Sequence, residues 1–243
     1  MQGGRFKGSN AAFAVPFYLL VLTLTTGIFA SAASAQDAAP ESGGAAASFG
    51  YKYEGPRFYI SLIEIDLTAD GRGELRFKRG ESDEIIKLNF KLMPETIARI
   101  RQLYSETQFL ESSEDYQSKK DFSHLGWKTL SARQGEQERK ARFNYTHNES
   151  INEIANIFRA IATQEIHLFD LETAAQYQPL DLPSQLQSLE NDLRNQNIAE
   201  PERMLGPLRD MAGNDSVPLI ARNHAERIVK SIEKKKYKSL INK

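Results

Sequence analysis

From residue 57 to residue 145, apolar and polar side chains alternate with the period of a β-strand. Phe58, Ile60 and Leu62 form one alternating set, and Ile63, Ile65 and Leu67 form a second, one residue out of phase. That offset predicts a bulge near Leu62 and Ile63, or a strand buried on both faces. Ala69-Asp70-Gly71-Arg72-Gly73 follows as a turn, because Asp-Gly supplies the positive φ that a tight hairpin needs. Leu75 and Phe77 resume on one face, with Glu74, Arg76 and Lys78 on the other. After a polar turn at 79–84, Ile86, Leu88, Phe90 and Leu92 alternate with Lys87, Asn89 and Lys91. Three antiparallel strands in meander order are expected.

The period then changes. Pro94 suits the first turn of a helix, and Ile97, Ile100, Leu103 and Tyr104 form a helical stripe able to cover one face of the sheet. Phe109 and Leu110 close it off, and 111–123 is a polar surface loop. Two further strands are expected at 127–133 and 138–145, with Trp127, Ala141, Phe143 and Tyr145 turned inward. Asn148 caps the next helix, whose buried stripe is Ile151, Ile154, Ile157, Phe158 and Ile161. Leu168, Phe169 and Leu171 either extend it or follow a kink near Thr163.

Pro179 and Pro183 break the pattern and mark a domain boundary. Only helices are expected beyond it. Leu186, Leu189 and Leu193 mark one; Met204, Leu205, Leu208 and Met211 mark a second, started by Pro201 and kinked at Pro207. Pro218 begins a third, with Ile220, His224, Ile228 and Ile232 on one face. The expected fold is therefore α+β: an antiparallel sheet of about five strands with covering helices, in the order βββαββα, followed by a small helical C-terminal segment.

The N-terminal residues change the picture from fold to compartment. Arg5 and Lys7 precede an apolar run from about residue 11 to 30, and Ala33-Ser34-Ala35 offers small residues where a signal peptidase reads them. Cleavage before Gln36 is expected, since no Lys or Arg follows until Lys52 to act as a stop-transfer flank. The alternative is an uncleaved N-terminal membrane anchor, for which the run is nearly long enough. Residues 36–50, rich in Ala, Gly and Ser, read as a disordered linker. The expected layout is a signal peptide at 1–35, that linker, an α+β domain at 51–178 and a helical segment with a basic tail at 179–243. The mature chain is expected in the periplasm or the medium.

The chain has no cysteine. Disulfides, thiol nucleophiles, Cys-bound zinc and a lipobox anchor are thereby excluded, which favours a bacterial envelope protein resting on its apolar core. Net charge is −1, and nothing points to nucleic acid. The charge is uneven: residues 219–243 hold eight basic and two acidic side chains, whereas 36–218 hold 21 basic and 30 acidic.

Candidate chemistry is sparse. His124 and His147 flank the second strand pair near Asp121 and Glu149, a conceivable metal or general-base site. No His-x-His or His-Glu-x-x-His spacing supports it, and scattered loop histidines are as a rule solvated or structural. His167 reads as a helix-surface or boundary residue, and His224 as a hydrogen-bonded core histidine. Gly-x-Ser-x-Gly is absent; Ser231-Ile232-Glu233-Lys234 has Ser-x-x-Lys spacing but no partner motif. Glu64 and Asp66 point to the solvent face of a strand, where surface charge is the default. Gly71-Arg72-Gly73 lacks the helix N-terminus of a phosphate loop, and Arg72 interrupts Asp66, Asp70 and Glu74 as calcium ligands. No metal or other cofactor is expected.

Two resemblances accompany these readings. Asp70-Gly71, the helix at 97–109, Asp115-Tyr116 and the strand pair and helix at 127–158 resemble uncharacterised bacterial extracytoplasmic domains of unknown function. That resemblance covers about half the chain and implies no activity. Val217-Pro218-Leu219-Ile220-Ala221-Arg222, with Ala225 and Ile228, resembles the inner helix of a HEAT-type repeat. Residues 185–232 hold little more than one such unit, so a helical extension packed on the preceding domain is the simpler expectation.

No motif defines an activity. The expectation is a non-enzymatic binding or structural protein of the bacterial envelope; the alternative is an extracytoplasmic hydrolase whose site is assembled from separated residues. The one surface marked by sequence is the basic tail. Arg227, Lys230, Lys234, Lys235, Lys236 and Lys238 are candidate contacts to an envelope protein or an anionic surface. The competing reading is a solvated helix end whose lysines suit the C-terminal dipole.

Overall fold

Phe49, Tyr51 and Tyr53 alternate with Ser48, Gly50 and Lys52, and this short run forms a strand, β1 (Ser48–Glu54). The computed structural model describes residues 47–55 and 57–242. The expected signal peptide, and the expected linker up to residue 46, lie outside the described residues. The linker reading is corrected at its end: Ser48, Phe49 and Gly50 belong to the sheet. β1 pairs on one side with β2 (Ile60–Thr68) and on the other with β5 (Trp127–Gln134), both antiparallel.

The sheet therefore has six strands, not five. With β3 (Arg72–Arg79), β4 (Ile86–Lys91) and β6 (Gln137–Phe143), its order is β4-β3-β2-β1-β5-β6. The expected meander is β2, β3 and β4; β1 zips it to the β5–β6 hairpin. The register shift between β2 and β3 falls at Ile60 and Leu62, close to the anticipated bulge. Gly71 takes the positive φ of 86° expected of the Asp-Gly turn.

One row across the sheet runs Leu88, Leu75, Ile65, Tyr51, Leu130 and Ala141. It faces the helices. α1 (Pro94–Glu106) buries Ile97, Ile100, Leu103 and Tyr104 against this face, as its stripe requires. α2 (Glu149–Tyr177) is one continuous helix, so Leu168, Phe169 and Leu171 extend it without a kink. Asn148 Oδ1 accepts from Ile151 N at 3.1 Å and caps it. Phe158 stacks on Tyr51 with ring centroids 5.6 Å apart, and Phe169 meets Phe77 edge-on at 6.1 Å. Each fully buried Leu, Ile or Phe here contributes roughly 1.5–3 kcal/mol of burial free energy.

The opposite face of the sheet carries charged and small polar side chains. Arg76 stands at its centre and pairs with Glu64 (3.2 Å), Asp66 (2.6 Å) and Glu74 (2.6 Å). Trp127 also lies on this face, with the Arg142 guanidinium 4.5 Å from its ring centroid. That corrects the inward placement of Trp127: Leu130 and Ala132 set the phase of β5, and Trp127 is an odd number of residues away. Tyr145 is likewise exposed, because β6 ends at Phe143.

A second apolar cluster forms where the end of α2 meets α3 (Leu182–Arg194), α4 (Leu205–Gly213) and α5 (Leu219–Glu233). Leu171 and Ala174 of α2 join Leu186, Leu189, Leu193, Leu208 and Ile228 in it. Pro207 lies in the first turn of α4, where no kink results; the break comes earlier, at a 3-10 turn over Pro201–Met204. Ile228, Ile232 and His224 are buried in the cluster, while Ile220 is exposed.

Candidate functional site

Register places the end of β1, the start of β5 and the end of β6 together: Glu54 is opposite Trp127, and Lys128 is opposite Phe143. The segments that leave these points, at 55 and 57–59, 107–126 and 144–148, share one end of the sheet. Aromatic residues collect there. Phe122 lies 6.2 Å from His124 and 4.7 Å from Tyr145, and Tyr145 lies 5.2 Å from His147, as ring centroids. The two loop histidines singled out in the sequence thus sit at opposite ends of one row of four rings. Phe58 and Tyr53 form a separate pair of rings, 6.2 Å apart.

Several of these rings face water. Phe58 is 44 % exposed, Tyr59 72 % and Tyr145 39 %. Beside Phe58, the residues Gly55, Arg57, Ser123, His124 and Gly126 complete the lining of a recess of about 220 Å³. One of its lining residues is a glycine for a structural reason. Gly126 has φ of +79°, and a Cβ there would lie 2.7 Å from Tyr53 Cε2 and 2.8 Å from the Glu54 carbonyl oxygen. A residue with a side chain would be strained and would clash.

The polar groups beside the rings are committed to holding the loops. Asp121 accepts from Ser123 N at 2.7 Å, from Ser123 Oγ at 3.1 Å and from Asn144 Nδ2 at 3.1 Å. The Ser123 backbone bond, first among these, holds its carboxyl below the ordinary range. A carboxylate so engaged is an acceptor for the loop and a poor general base. Lys128 Nζ donates to the Asn144 carbonyl at 2.8 Å. Burial, and then the nearby Arg159 charge, lower the Lys128 pKa. His147 Nε2 lies 3.4 Å from Ser118 Oγ. Among the described residues no group of three or more His, Asp or Glu side chains is placed to hold a metal.

The other histidines are structural. His224 is buried, with Nε2 2.9 Å from Glu190 Oε2, as its position on the stripe implied. His167 is also buried, 2.8 Å from Asp192 Oδ2; of the two readings, helix surface or boundary, the surface one is corrected. α3 packs over this turn of α2, and nothing in the local sequence announces that.

Of the tail candidates, Arg227, Lys230, Lys234, Lys235, Lys236 and Lys238 are all exposed. Lys230 pairs with Glu226 at 2.7 Å, and Arg227 lines a groove with Ile220 and Pro183. The structure does not bring this set together with the ring-bearing loops. Glu64 and Asp66 are neighbours on the open sheet face and both bind Arg76. Ser231 and Lys234 fall at the end of α5, where Ser231 O accepts from Lys236 N.

Phe58, Tyr59, Phe122 and Tyr145 drew no attention as a group in the sequence. They are spread over 88 positions (58 to 145, both ends counted), and only the β1–β5 pairing joins their loops. No family model and no curated protein matches the chain. Among the described residues no helix is long and apolar enough to cross a membrane.

Proposed function

We propose that the chain is an exported, non-enzymatic binding protein of the bacterial envelope, and that the ring-bearing loop end of its sheet is the contact surface. One observation carries this reading: Phe58 and Tyr59 on one loop and Tyr145 on another hold aromatic surface in water at the loop end of the sheet. Exposed aromatic surface grouped in this way favours a partner, since rings bring large contact area at low entropic cost. The commitment of Asp121 to Ser123 and Asn144 adds support for binding over catalysis. Export rests on Ala33-Ser34-Ala35, and intact mass of the exported protein beginning at Gln36 tests it.

The functional test is capture from the protein's own envelope fraction by the immobilised mature chain. Replacing Phe58, Tyr59 and Tyr145 together by Ala is expected to abolish whatever the wild-type chain retains. Undiminished capture by this variant, with its fold confirmed by circular dichroism, overturns the reading.

A further inference from the structure

We infer that the recess between Phe58 and His124 takes one ring of an acidic polysaccharide. The inference rests on the proposal that the loop end is the contact surface. Size comes first. At about 220 Å³ the recess is smaller than the roughly 300–1,000 Å³ of sites that enclose whole drug-sized ligands. It admits a single six-membered ring, and the rest of the ligand must lie outside. Tyr145, joined to His124 through Phe122, offers an exposed ring for such a continuation. A polymer fits that division better than a small molecule.

The lining matches a pyranose. Such a ring has an apolar face of C–H bonds and a rim of hydroxyls. Phe58 gives an exposed apolar wall. Ser123 Oγ donates its proton to Asp121, so its lone pairs are left to accept from a sugar hydroxyl. Charge selects the acidic sugar. Arg57 is exposed at the rim and has no ion-pair partner among the described residues. A planar guanidinium pairs with a carboxylate through two parallel N–H bonds. The acid of this loop, Asp121, is turned to Ser123 and Asn144 and does not neutralise it.

Titration of the mature chain with tetragalacturonate, galactotetraose and uridine monophosphate, followed by calorimetry, tests this. Tetragalacturonate is expected to bind at least tenfold more tightly than galactotetraose. Arg57→Gln should remove that difference, Phe58→Ala should weaken both sugars at least tenfold, and Tyr177→Ala, far away on α2, should change neither. Thermal melts identify any variant that fails to fold, and Phe58→Leu, which keeps an apolar wall without a ring, then replaces Phe58→Ala. No saturation by tetragalacturonate at millimolar concentration, binding indifferent to Arg57 and Phe58, or tighter binding of the nucleotide overturns the inference. Envelope capture that still needs Phe58, Tyr59 and Tyr145 in that event leaves the ring-bearing surface as the contact and removes only the sugar.

Discussion

Gln117 and Asn144 exchange two hydrogen bonds across the loop end of the sheet. Asn144 N donates to Gln117 Oε1 at 2.8 Å, and Gln117 Nε2 donates to Asn144 Oδ1 at 2.9 Å. The Gln117 amide thus takes the place of a neighbouring strand for the residue that follows β6. Through Asn144 Nδ2 and Asp121 the same contact holds the segment bearing Phe122 and His124. The recess is only as ordered as this pair.

Asn144→Ala is therefore expected to cost about 1–3 kcal/mol, since it strips two part-buried side-chain bonds, those to Gln117 and Asp121. Urea unfolding measures the loss. Amide exchange should rise across 117–126 well before the rest of the sheet. Uniform exchange across the sheet and this loop would show that Asn144 does not act locally.

The difference between what sequence revealed and what it hid has a physical origin. The strands β2, β3 and β4 and the stripe of α1 were legible because each buries one face, so period and burial coincide in residues such as Ile86, Leu88, Phe90 and Ile100. β1 was hidden by its neighbours: an Ala-, Gly- and Ser-rich run leads into Phe49, and Gly50 lacks a side chain because Ser131 Oγ occupies that space. The loop end was illegible for a related reason. Its rings are local to nothing; Phe58 and His124 meet only because β1 pairs with both β2 and β5. His124 and His147 were visible as residue types, but their relation through Phe122 and Tyr145 was not.

Three helices end alike. At the ends of α1, α3 and α5 a left-handed residue follows the last turn: Gln108 (φ 46°), Gln196 (φ 59°) and Lys235 (φ 51°). In each case its N–H and the next one bond back to the helix, as in Lys235 N to Ile232 O (2.8 Å) and Lys236 N to Ser231 O (3.0 Å). Glycine is the usual residue at this position, because a Cβ there costs roughly 1–2 kcal/mol. Part of that is returned when glycine's extra unfolded-state freedom is lost on folding. Lys235→Gly, exposed and unpaired with any acid among the described residues, should raise stability by up to about 1 kcal/mol. A lower melting temperature for this variant would contradict the assignment.

Glu165 and Glu200 share a single guanidinium, that of Arg203, in the interface between α2 and the Pro201 turn. Glu200 is 3 % exposed, and its Oε1 accepts from Met93 N at 2.8 Å ahead of α1. Burial, the largest influence, raises the Glu165 pKa despite Arg203. A carboxyl whose folded value lies above its unfolded value binds its proton more tightly in the folded state. Its ionisation therefore weakens the fold at neutral pH, and the loss is recovered as pH falls through the raised value toward the ordinary carboxylate range. Glu165→Gln leaves Arg203 with one acid partner. This variant should match or exceed wild-type stability at pH 7, with the margin closing as pH falls. A wild-type advantage at pH 7 that shrinks toward acid pH would reverse the sign and refute it.

The C-terminal residues separate charge from anchoring. After α5 the chain turns back across both apolar clusters. Tyr237 packs on the helical one and its hydroxyl lies 3.4 Å from Glu190 Oε1; Leu240 and Ile241 pack on the sheet-side core. Ser239 Oγ donates to the Ala199 carbonyl at 2.7 Å between them. Lys234, Lys235, Lys236 and Lys238 stay in water along this path. Removing residues 237–243 should therefore cost about 2–4 kcal/mol, from three partly buried apolar side chains at about 25 cal/mol per Å² and two hydrogen bonds. Changing the four lysines to Gln should alter stability by no more than about 0.5 kcal/mol, as for exposed charges generally. The same pair of variants addresses the anionic-surface reading. Basic residues near an anionic membrane contribute on the order of 1 kcal/mol each, but Ile228 and Ile232 of the stripe are buried in the core, and the exposed Ile220 lies at the other end of α5 from the four lysines. Co-sedimentation with vesicles containing anionic lipid is expected to show no binding at low salt. Binding that vanishes in the four-lysine variant, while its unfolding midpoint stays at the wild-type value, would make the tail a docking element after all.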